Sequence, residues 1–197
     1  MYDYRKWNDQ QRREVVADRR FRNFPCHQPP HVKATKEYRI VTGTCFEHRP
    51  FLDSPQRLDW FENTLLTSLK SASYEVRSWV VLPNHYHLLL KIPDIEPFAK
   101  LVGRIHGRTS FQINREDKKR GRRVWFQYTD RVMRSDRHFY TTINYLHHNP
   151  VKHGYVDKQN EWRWSSFHTH LEQYGRRWLI DLWRDYPVRE YGNKWDR

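Results

Sequence analysis

The fold is decided by the stretch Trp79-Val80-Val81-Leu82-Pro83-Asn84-His85-Tyr86-His87-Leu88-Leu89-Leu90-Lys91, in which a Pro-Asn turn joins two apolar runs. Two antiparallel strands are predicted. Because side chains alternate across a strand, His85 and His87 share one face and Tyr86 lies on the other. Two imidazoles on one face can bind a metal ion or stabilise an oxyanion, and two purely structural histidines are the alternative.

Hydrophobic periodicity and capping residues around this hairpin predict the order β-α-β-β-α-β-α. The fold class is α+β, a mainly antiparallel sheet with helices on one face and the other face open to a ligand. The helix that begins at Ser135-Asp136 is expected to end near Asn149, because proline disfavours α geometry in the residue before it. The predicted elements are strand 37–46, a helix from Pro55 to about Ser71, strands 74–82 and 85–92, a helix from Asp94 to about Arg115, edge strand 124–128, and this last helix.

Composition favours a polyanionic partner. The 197 residues include 36 Lys and Arg against 23 Asp and Glu, a net charge of +13. Such an excess is typical of nucleic-acid binding, and the 16% aromatic content suits base stacking as well as a core. The sequence has no apolar run long enough to span a membrane and no apolar signal segment. With only Cys26 and Cys45, a reduced cytoplasmic setting is expected.

Three regions are expected along the chain. Residues 1–34 form a basic extension, with a thin surface helix from Asp9 to Arg20 and a proline-stiffened segment whose His27 and His31 could touch a site. Residues 35–156 form the catalytic domain. Residues 157–197 form a Trp-rich extension with enough apolar surface to pack on the core.

A second group of reactive side chains lies on the last helix of the catalytic domain. Tyr145 and Asn149 are four residues apart and therefore share a helical face. A divalent cation could take two imidazole nitrogens and the Asn149 amide oxygen, with Tyr145 beside it as a nucleophile. These groups could cut a nucleic-acid strand and leave a phosphotyrosine. Tyr140 and Tyr128 are rival nucleophiles, and Tyr140 is expected to pack instead because it points away from Asn149.

Two motifs carry a family resemblance. Leu82-Pro83-Asn84-His85-Tyr86-His87 resembles the HUH signature, and residues 145–154, Tyr-Leu-His-His-Asn-Pro-Val-Lys-His-Gly, resemble the second motif of REP-associated tyrosine transposases. The tyrosine between the histidines departs mildly from the usual hydrophobic residue. The resemblance implies an HUH, ferredoxin-like fold, His85, His87 and Asn149 as ligands of Mg²⁺ or Mn²⁺, and Tyr145 as the nucleophile. It also implies single-stranded DNA with REP- or BIME-like hairpins as the partner, and a bacterial, nucleoid-associated protein that acts as a monomer rather than a dimer.

Basic side chains outside these motifs are candidate DNA contacts, because phosphate contacts position a protein on DNA without reading sequence. His147, His148 and His153 could move protons or touch phosphate, although histidine is common near a helix end for electrostatic reasons alone. Trp125 is expected in the core. The candidate DNA contacts are Lys118, Lys119, Arg120, Arg122 and Arg123 in a basic loop, Arg104 and Arg108 on the preceding helix, and Lys152.

Two other functions compete with strand transfer. One is a catalytically silent protein that binds hairpin DNA but has lost the chemistry. The other is a zinc hydrolase, in which His-x-His also occurs, but the sequence offers no obvious carboxylate near the motif to act as a base.

Overall fold

The computed structural model describes residues 8–11, 13, 14, 17 and 38–192. Most of the predicted surface helix 9–20, together with His27 and His31, therefore lies outside the described residues. None of the helices in the described part combines the length and hydropathy that crossing a membrane requires.

Four antiparallel strands form one sheet in the order β2-β3-β1-β4. Strands β2 and β3 form the predicted hairpin across Pro83-Asn84. Strand β3 also pairs with β1, so that Thr42 of β1 lies opposite His87. The α+β class and the antiparallel sheet are confirmed. The strands are β1 (Tyr38–Thr44), β2 (Val76–Leu82), β3 (His85–Lys91) and β4 (Thr129–Val132).

Four helices of at least 17 residues accompany the sheet: α1 (Pro55–Ser71), α2 (Ile95–Glu116), α3 (Asp136–Lys152) and α4 (Phe167–Asp185). The side chains of Ser54, Asp94 and Ser135 cap the first three by accepting hydrogen bonds from backbone N–H groups of the first turn. Helix α4 is interrupted at Gly175, whose φ of 79° is left-handed. These caps agree with the predicted starts.

The helices cover both faces of the sheet, rather than the single face expected from the sequence. On one face, Tyr86 packs its ring against Phe61 of α1 and hydrogen-bonds His106 of α2. On the opposite face, Ser78 bonds Ser166, which also bonds His147 of α3. The reason is that α3 carries nine buried residues and needs an apolar surface to cover them. The histidine face is therefore the wall of an interior site and not an open surface.

Two predicted boundaries are corrected. The expected edge strand 124–128 is extended, but it makes only an isolated bridge between Trp125 and Cys45, and the fourth strand is β4. Trp125 is drawn into the core, as predicted, where it stacks on Phe61 and donates to Thr109. Strand β4 is held against β1 by the buried ion pair between Arg39 of β1 and Asp130 of β4.

The second correction concerns the end of α3, which continues to Lys152 with Pro150 inside it. Asn149 and Pro150 are both buried, so packing holds the helical backbone there against the local preference. The His153 N–H donates to the Asn149 carbonyl, and Gly154 follows with a left-handed φ of 71°.

The segment before α4 protects the outer edge of β2. The Val81 N–H donates to the Trp164 carbonyl, and the Ser166 N–H donates to the Trp79 carbonyl. The indole of Trp162 is buried and donates to the Val81 carbonyl. An edge strand that would otherwise expose unpaired backbone groups is thereby covered.

Candidate active site on the histidine strand

The two histidines of β3 lie side by side in the interior, with ring centroids 4.9 Å apart and exposures of 2% and 0%. A neighbouring side chain fixes each ring. His87 Nδ1 lies 2.8 Å from Thr42 Oγ1, and His85 Nδ1 lies 2.7 Å from Asn84 Oδ1. Partners on Nδ1 orient a ring and leave Nε2 as the nitrogen that can act on a ligand, which is the arrangement found around metal-binding histidines.

Asn149 of α3 meets this pair from the helix side. Its Oδ1 lies 3.2 Å from His85 Nε2, and the side chain is fully buried. Its Nδ2 finds no hydrogen-bond partner among the described residues. The strand and the helix thus bring three of the predicted residues together.

The protonation state of His85 bears on whether a cation fits here. Asn84 donates its Nδ2 to the His48 carbonyl at 3.4 Å, so its Oδ1 accepts from His85 Nδ1. Neutral His85 then directs the Nε2 lone pair at the Asn149 oxygen. Two acceptors 3.2 Å apart repel each other unless a cation or a proton lies between them. Adjacent ligands of an octahedral Mg²⁺ with bonds of about 2.1 Å are separated by about 3 Å. The donor set and its spacing therefore fit a divalent cation.

Tyr145 lies next to the histidines, its ring centroid 5.4 Å from that of His87. Lys152, predicted as a DNA contact, places Nζ 5.1 Å from the Tyr145 ring centroid. All four residues of the predicted constellation are thus in one cluster, with a lysine beside them.

The C-terminal residues cover Tyr145, which is only 1% exposed. Tyr191 packs edge-on against its ring at 5.5 Å, and a Cβ built on Gly192 would lie 2.3 Å from its Cε2. Lys152 Nζ donates to the Gly192 carbonyl at 2.9 Å. A substrate phosphate can reach the Tyr145 hydroxyl only after this cover moves.

The other histidines and tyrosines of the motifs have packing partners. His147 bonds Ser166, and burial lowers its pKa well below the usual value, whereas His153 lies with its ring 5.0 Å from that of His85. Tyr140 packs on Tyr186 at 5.0 Å, as predicted for a residue turned away from Asn149. Burial raises the pKa of Tyr128 to about 12, and its ring packs edge-on against Phe98 of α2 at 5.7 Å instead of lying in the cluster.

The basic loop divides into two groups. Lys118, Lys119 and Arg120 are exposed and line a shallow groove of about 320 Å³ with Phe111, whose ring is 69% exposed. A free ring among cations is suited to stacking on a base while the cations meet phosphate. This groove, together with Arg104 and Arg108 exposed on α2, presents the predicted positive surface.

Arg122 and Arg123 are used within the protein. Arg122 pairs with Asp117 and lies 4.6 Å over the Phe51 ring. Arg123 donates to the Trp125 carbonyl and lies over the ring of Phe126 at 4.9 Å. Arg122 is half-buried and supports the loop, whereas Arg123 remains exposed in addition to making these contacts.

Sequence reasoning missed the residues that orient and cover the site. Asn84 is part of the quoted hairpin, so its position next to His85 was an available signal. Thr42 could be found only from the register of β1 against β3, and Gly192 only from the tertiary packing. Within the described residues, no three His, Cys, Asp or Glu side chains are grouped as metal ligands, so an amide oxygen is needed to complete this site.

Comparison with known proteins agrees with the two motifs. Over 109 residues the chain is 28% identical to a putative REP-associated tyrosine transposase of Haemophilus influenzae, a match that covers 50% of this chain and 62% of the relative. Over 97 residues it is 28% identical to the REP-associated tyrosine transposase of Escherichia coli, covering 48% of this chain and 55% of that one. The matched segments thus span less than two thirds of these curated relatives.

A solved structure shares the fold. It is described as a REP-associated tyrosine transposase bound to a REP hairpin, and it matches 74% of this chain and 85% of its own with a TM-score of 0.59 at 19% identity. The profile of the family described as "Transposase IS200 like" matches residues 33–159, a segment that includes β1 to β4 and the whole histidine–tyrosine cluster. The chain therefore belongs to the IS200-like transposase family.

Proposed function

We propose that this transposase cuts and rejoins single-stranded DNA at REP-type hairpins, with Tyr145 as the nucleophile. The observation that carries the proposal is the cluster itself, in which the Tyr145 ring lies 5.4 Å from that of His87 and His85 Nε2 lies 3.2 Å from Asn149 Oδ1. The names of the relatives and the hairpin bound to the structural neighbour support this choice of partner. We expect the protein to act as a monomer.

The metal site would use His85, His87 and Asn149, and Mg²⁺ or Mn²⁺ suits the mixture of imidazole and amide ligands. When bound, such an ion polarises a phosphate and offsets the charge that develops during transfer. Thr42 and Asn84 keep the two imidazoles oriented toward that position. Holding the ligands in place before substrate arrives reduces the reorganisation needed in the reaction.

The chemical step is a transesterification. The Tyr145 oxygen attacks the scissile phosphorus, a phosphotyrosine bond forms, and the broken phosphodiester releases a strand with a free hydroxyl, which takes up a proton. A phenol with an ordinary pKa of about 10 is mostly protonated at neutral pH. Lys152, whose Nζ lies 5.1 Å from the Tyr145 ring centroid, places a positive charge beside the attacking group. Attack by a hydroxyl on the phosphotyrosine reverses the step and rejoins a strand.

A covalent adduct assay tests the proposal. Protein incubated with Mn²⁺ and a single-stranded DNA bearing a hairpin should give a protein–oligonucleotide band that survives denaturing electrophoresis. Tyr145→Phe should abolish the band, while Tyr128→Phe, a matched loss of one hydroxyl at a rival position outside the cluster, should leave it intact. An adduct formed by Tyr145→Phe would show that another residue is the nucleophile.

A second candidate is favoured by the burial of Tyr145 under Tyr191 and Gly192. A protein whose cover never opens would bind hairpin DNA and not cut it. It would bind with strong salt dependence, because phosphate contacts release counterions, yet give no adduct with Mg²⁺ or Mn²⁺. The same assay, combined with a binding titration, separates the two functions.

A further inference from the structure

A cleft of about 660 Å³ lies beyond the N-terminal half of α3, away from the histidine cluster. It is bounded by α3, by α4 and by the starts of β1 and β2. Its volume is within the range of pockets that hold small organic ligands. Six rings line it, Tyr38, Phe139 and Tyr140 on the side of β1 and α3, and His170, Tyr174 and Trp178 on α4.

The α4 rings form an exposed stacking surface. Tyr174 and Trp178 lie on either side of the break in α4 at Gly175, with their rings 4.6 Å apart at an interplanar angle of 35°, and Tyr174 is 42% exposed. A planar ligand placed against these rings would cover them.

Among the hydrogen-bonding groups of the cleft wall, several of which can donate, one can only accept. His170 is 5% exposed, and its Nε2 donates to the Arg77 carbonyl at 2.8 Å, which fixes the ring in the wall. Burial lowers the pKa of His170, which keeps the ring neutral. Asp136 also lines the cleft, and its ionised carboxylate can only accept. That carboxylate favours a ligand that carries an amino group.

One cation is also present at the rim. Arg77 lines the cleft and is held by Glu75 and by the Tyr38 hydroxyl, its side chain remaining 46% exposed. It can meet a phosphate at the mouth while a base enters. Aromatic rings for a base, acceptors for its amino group and an exposed guanidinium for its phosphate together match a nucleotide in single-stranded DNA.

We propose that this cleft holds one unpaired base of the DNA flanking the hairpin, stacked on Tyr174 and Trp178. The inference rests on the proposed function for its choice of DNA. Asp136 and Asn149 are 13 residues apart on α3, or about 20 Å at 1.5 Å per residue. At about 3.4 Å per stacked nucleotide, the cleft receives a base about six nucleotides from the scissile phosphate. The cleft therefore sets the number of nucleotides between the base that it binds and the phosphate at which the strand is cut.

The test is a binding titration by Tyr145→Phe protein, which cannot cut if the proposed function holds. The probe is a DNA hairpin with single-stranded flanks in which 2-aminopurine is placed at each flanking position in turn. One position should be strongly quenched by stacking. Since stacking of a base on an aromatic ring contributes about 1–3 kcal/mol, Tyr174→Ala and Trp178→Ala should each weaken binding by about 5- to 150-fold and relieve the quenching.

Ile180→Ala is the matched control, because Ile180 is 51% exposed on the same helix but does not line the cleft. It should leave both readouts unchanged. Thymine at the quenched position, which lacks an amino group, should bind more weakly than adenine or cytosine. Equal losses for a blunt hairpin without flanks, or no loss in either cleft variant, would overturn the proposal.

The two proposals fail differently. Wild-type protein that shows cleft-dependent binding but never forms the adduct retains the base site and refutes the chemistry. Wild-type protein that forms the adduct while Tyr174→Ala binds and quenches normally retains the chemistry and refutes the base site.

Discussion

Replacing Gly192 with alanine should uncover Tyr145. The backbone of Gly192 has a left-handed φ of 76° and lies on the tyrosine ring, where an added Cβ would be 2.3 Å from Cε2. Carbon atoms in ordinary contact are about 3.5 Å apart, so the segment must shift by about 1 Å. Such a shift lengthens the 2.9 Å bond that Lys152 donates to the Gly192 carbonyl beyond hydrogen-bonding range.

The backbone conformation at position 192 sets a lower limit on how far Gly192→Ala shifts the equilibrium toward the uncovered state. A non-glycine residue in the left-handed region costs about 1–2 kcal/mol, which raises the population of the uncovered state about 5- to 30-fold. Losing the charged hydrogen bond adds to this, since such bonds contribute about 1.5–3 kcal/mol. If the covered state predominates, the rate of adduct formation rises by the same factor as the uncovered population.

Two measurements check the prediction. Backbone amides of residues 186–192 should exchange hydrogen faster in Gly192→Ala, and the adduct with hairpin DNA and Mn²⁺ should form at least about 5-fold faster. Gly121→Ala is the control for the exchange measurement, because Gly121 has a similar φ of 72° but no atom within 4 Å of the place that a Cβ would occupy. Faster exchange without a faster reaction would mean that the cover does not limit access, and unchanged exchange would refute the packing argument itself.

Three further predictions address the metal site, the basic surface and the sheet. Mn²⁺ should raise the melting temperature of the wild type but not of Asn149→Ala. Changing a residue that only supports a metal ligand costs roughly 10- to 100-fold in metal affinity, so Asn149→Ala should lose at least that much. An equal rise in melting temperature in both proteins would exclude Asn149 as a ligand. Lys118→Ala should lower the slope of log affinity for hairpin DNA against log salt concentration by about 1, whereas Lys70→Ala, a lysine exposed on α1, should leave it unchanged; equal slopes would remove Lys118 from the DNA surface. Asp130→Asn should lower the free energy of unfolding by about 3–5 kcal/mol in chemical denaturation, because it leaves Arg39 charged at 4% exposure, and a loss below about 1 kcal/mol would show that the pair is not effectively buried.

The elements that were predicted well are those specified by local signals. The Pro83-Asn84 turn fixed the β2–β3 hairpin, and the Ser54-Pro55 start and apolar spacing of α1 gave that helix its observed bounds, Pro55–Ser71. Caps and hydrophobic periodicity depend on neighbours a few residues away, which a single sequence contains. The grouping of His85 and His87 was predictable for the same reason.

The misplaced elements depend on distant partners. Strand β4 lies where Asp130 can pair with Arg39, 91 residues earlier, and no local signal at 129–132 competes with the more apolar run that begins at Val124. Likewise α3 continues through Pro150 because both Asn149 and Pro150 are packed in the interior. In each case tertiary packing overrides a local preference, and the periodicity of the sequence gives no information about that packing.

The cover over Tyr145 illustrates the same limit within the site. Tyr191 is 46 residues from Tyr145 along the chain, and its contact depends on the path of the chain after α4. The sequence identified the chemical groups and their spacing on β3 and α3. It could not indicate that the proposed nucleophile is buried, the observation that favours the alternative of a silent DNA-binding protein.

The position of Tyr86, between the two histidines, depends on Gly43, which has no side chain. The Tyr86 ring occupies the space beside Gly43 on the paired strand, where a Cβ would come within 2.2 Å of Cε1. A methyl group at position 43 would have to push the ring out of its packing against Phe61 and Trp125, on the strand that carries both imidazoles. Positions 43 and 86 should consequently change only in concert during evolution: relatives with a smaller aliphatic residue between the histidines are free to carry a side chain opposite it, whereas relatives with tyrosine are not.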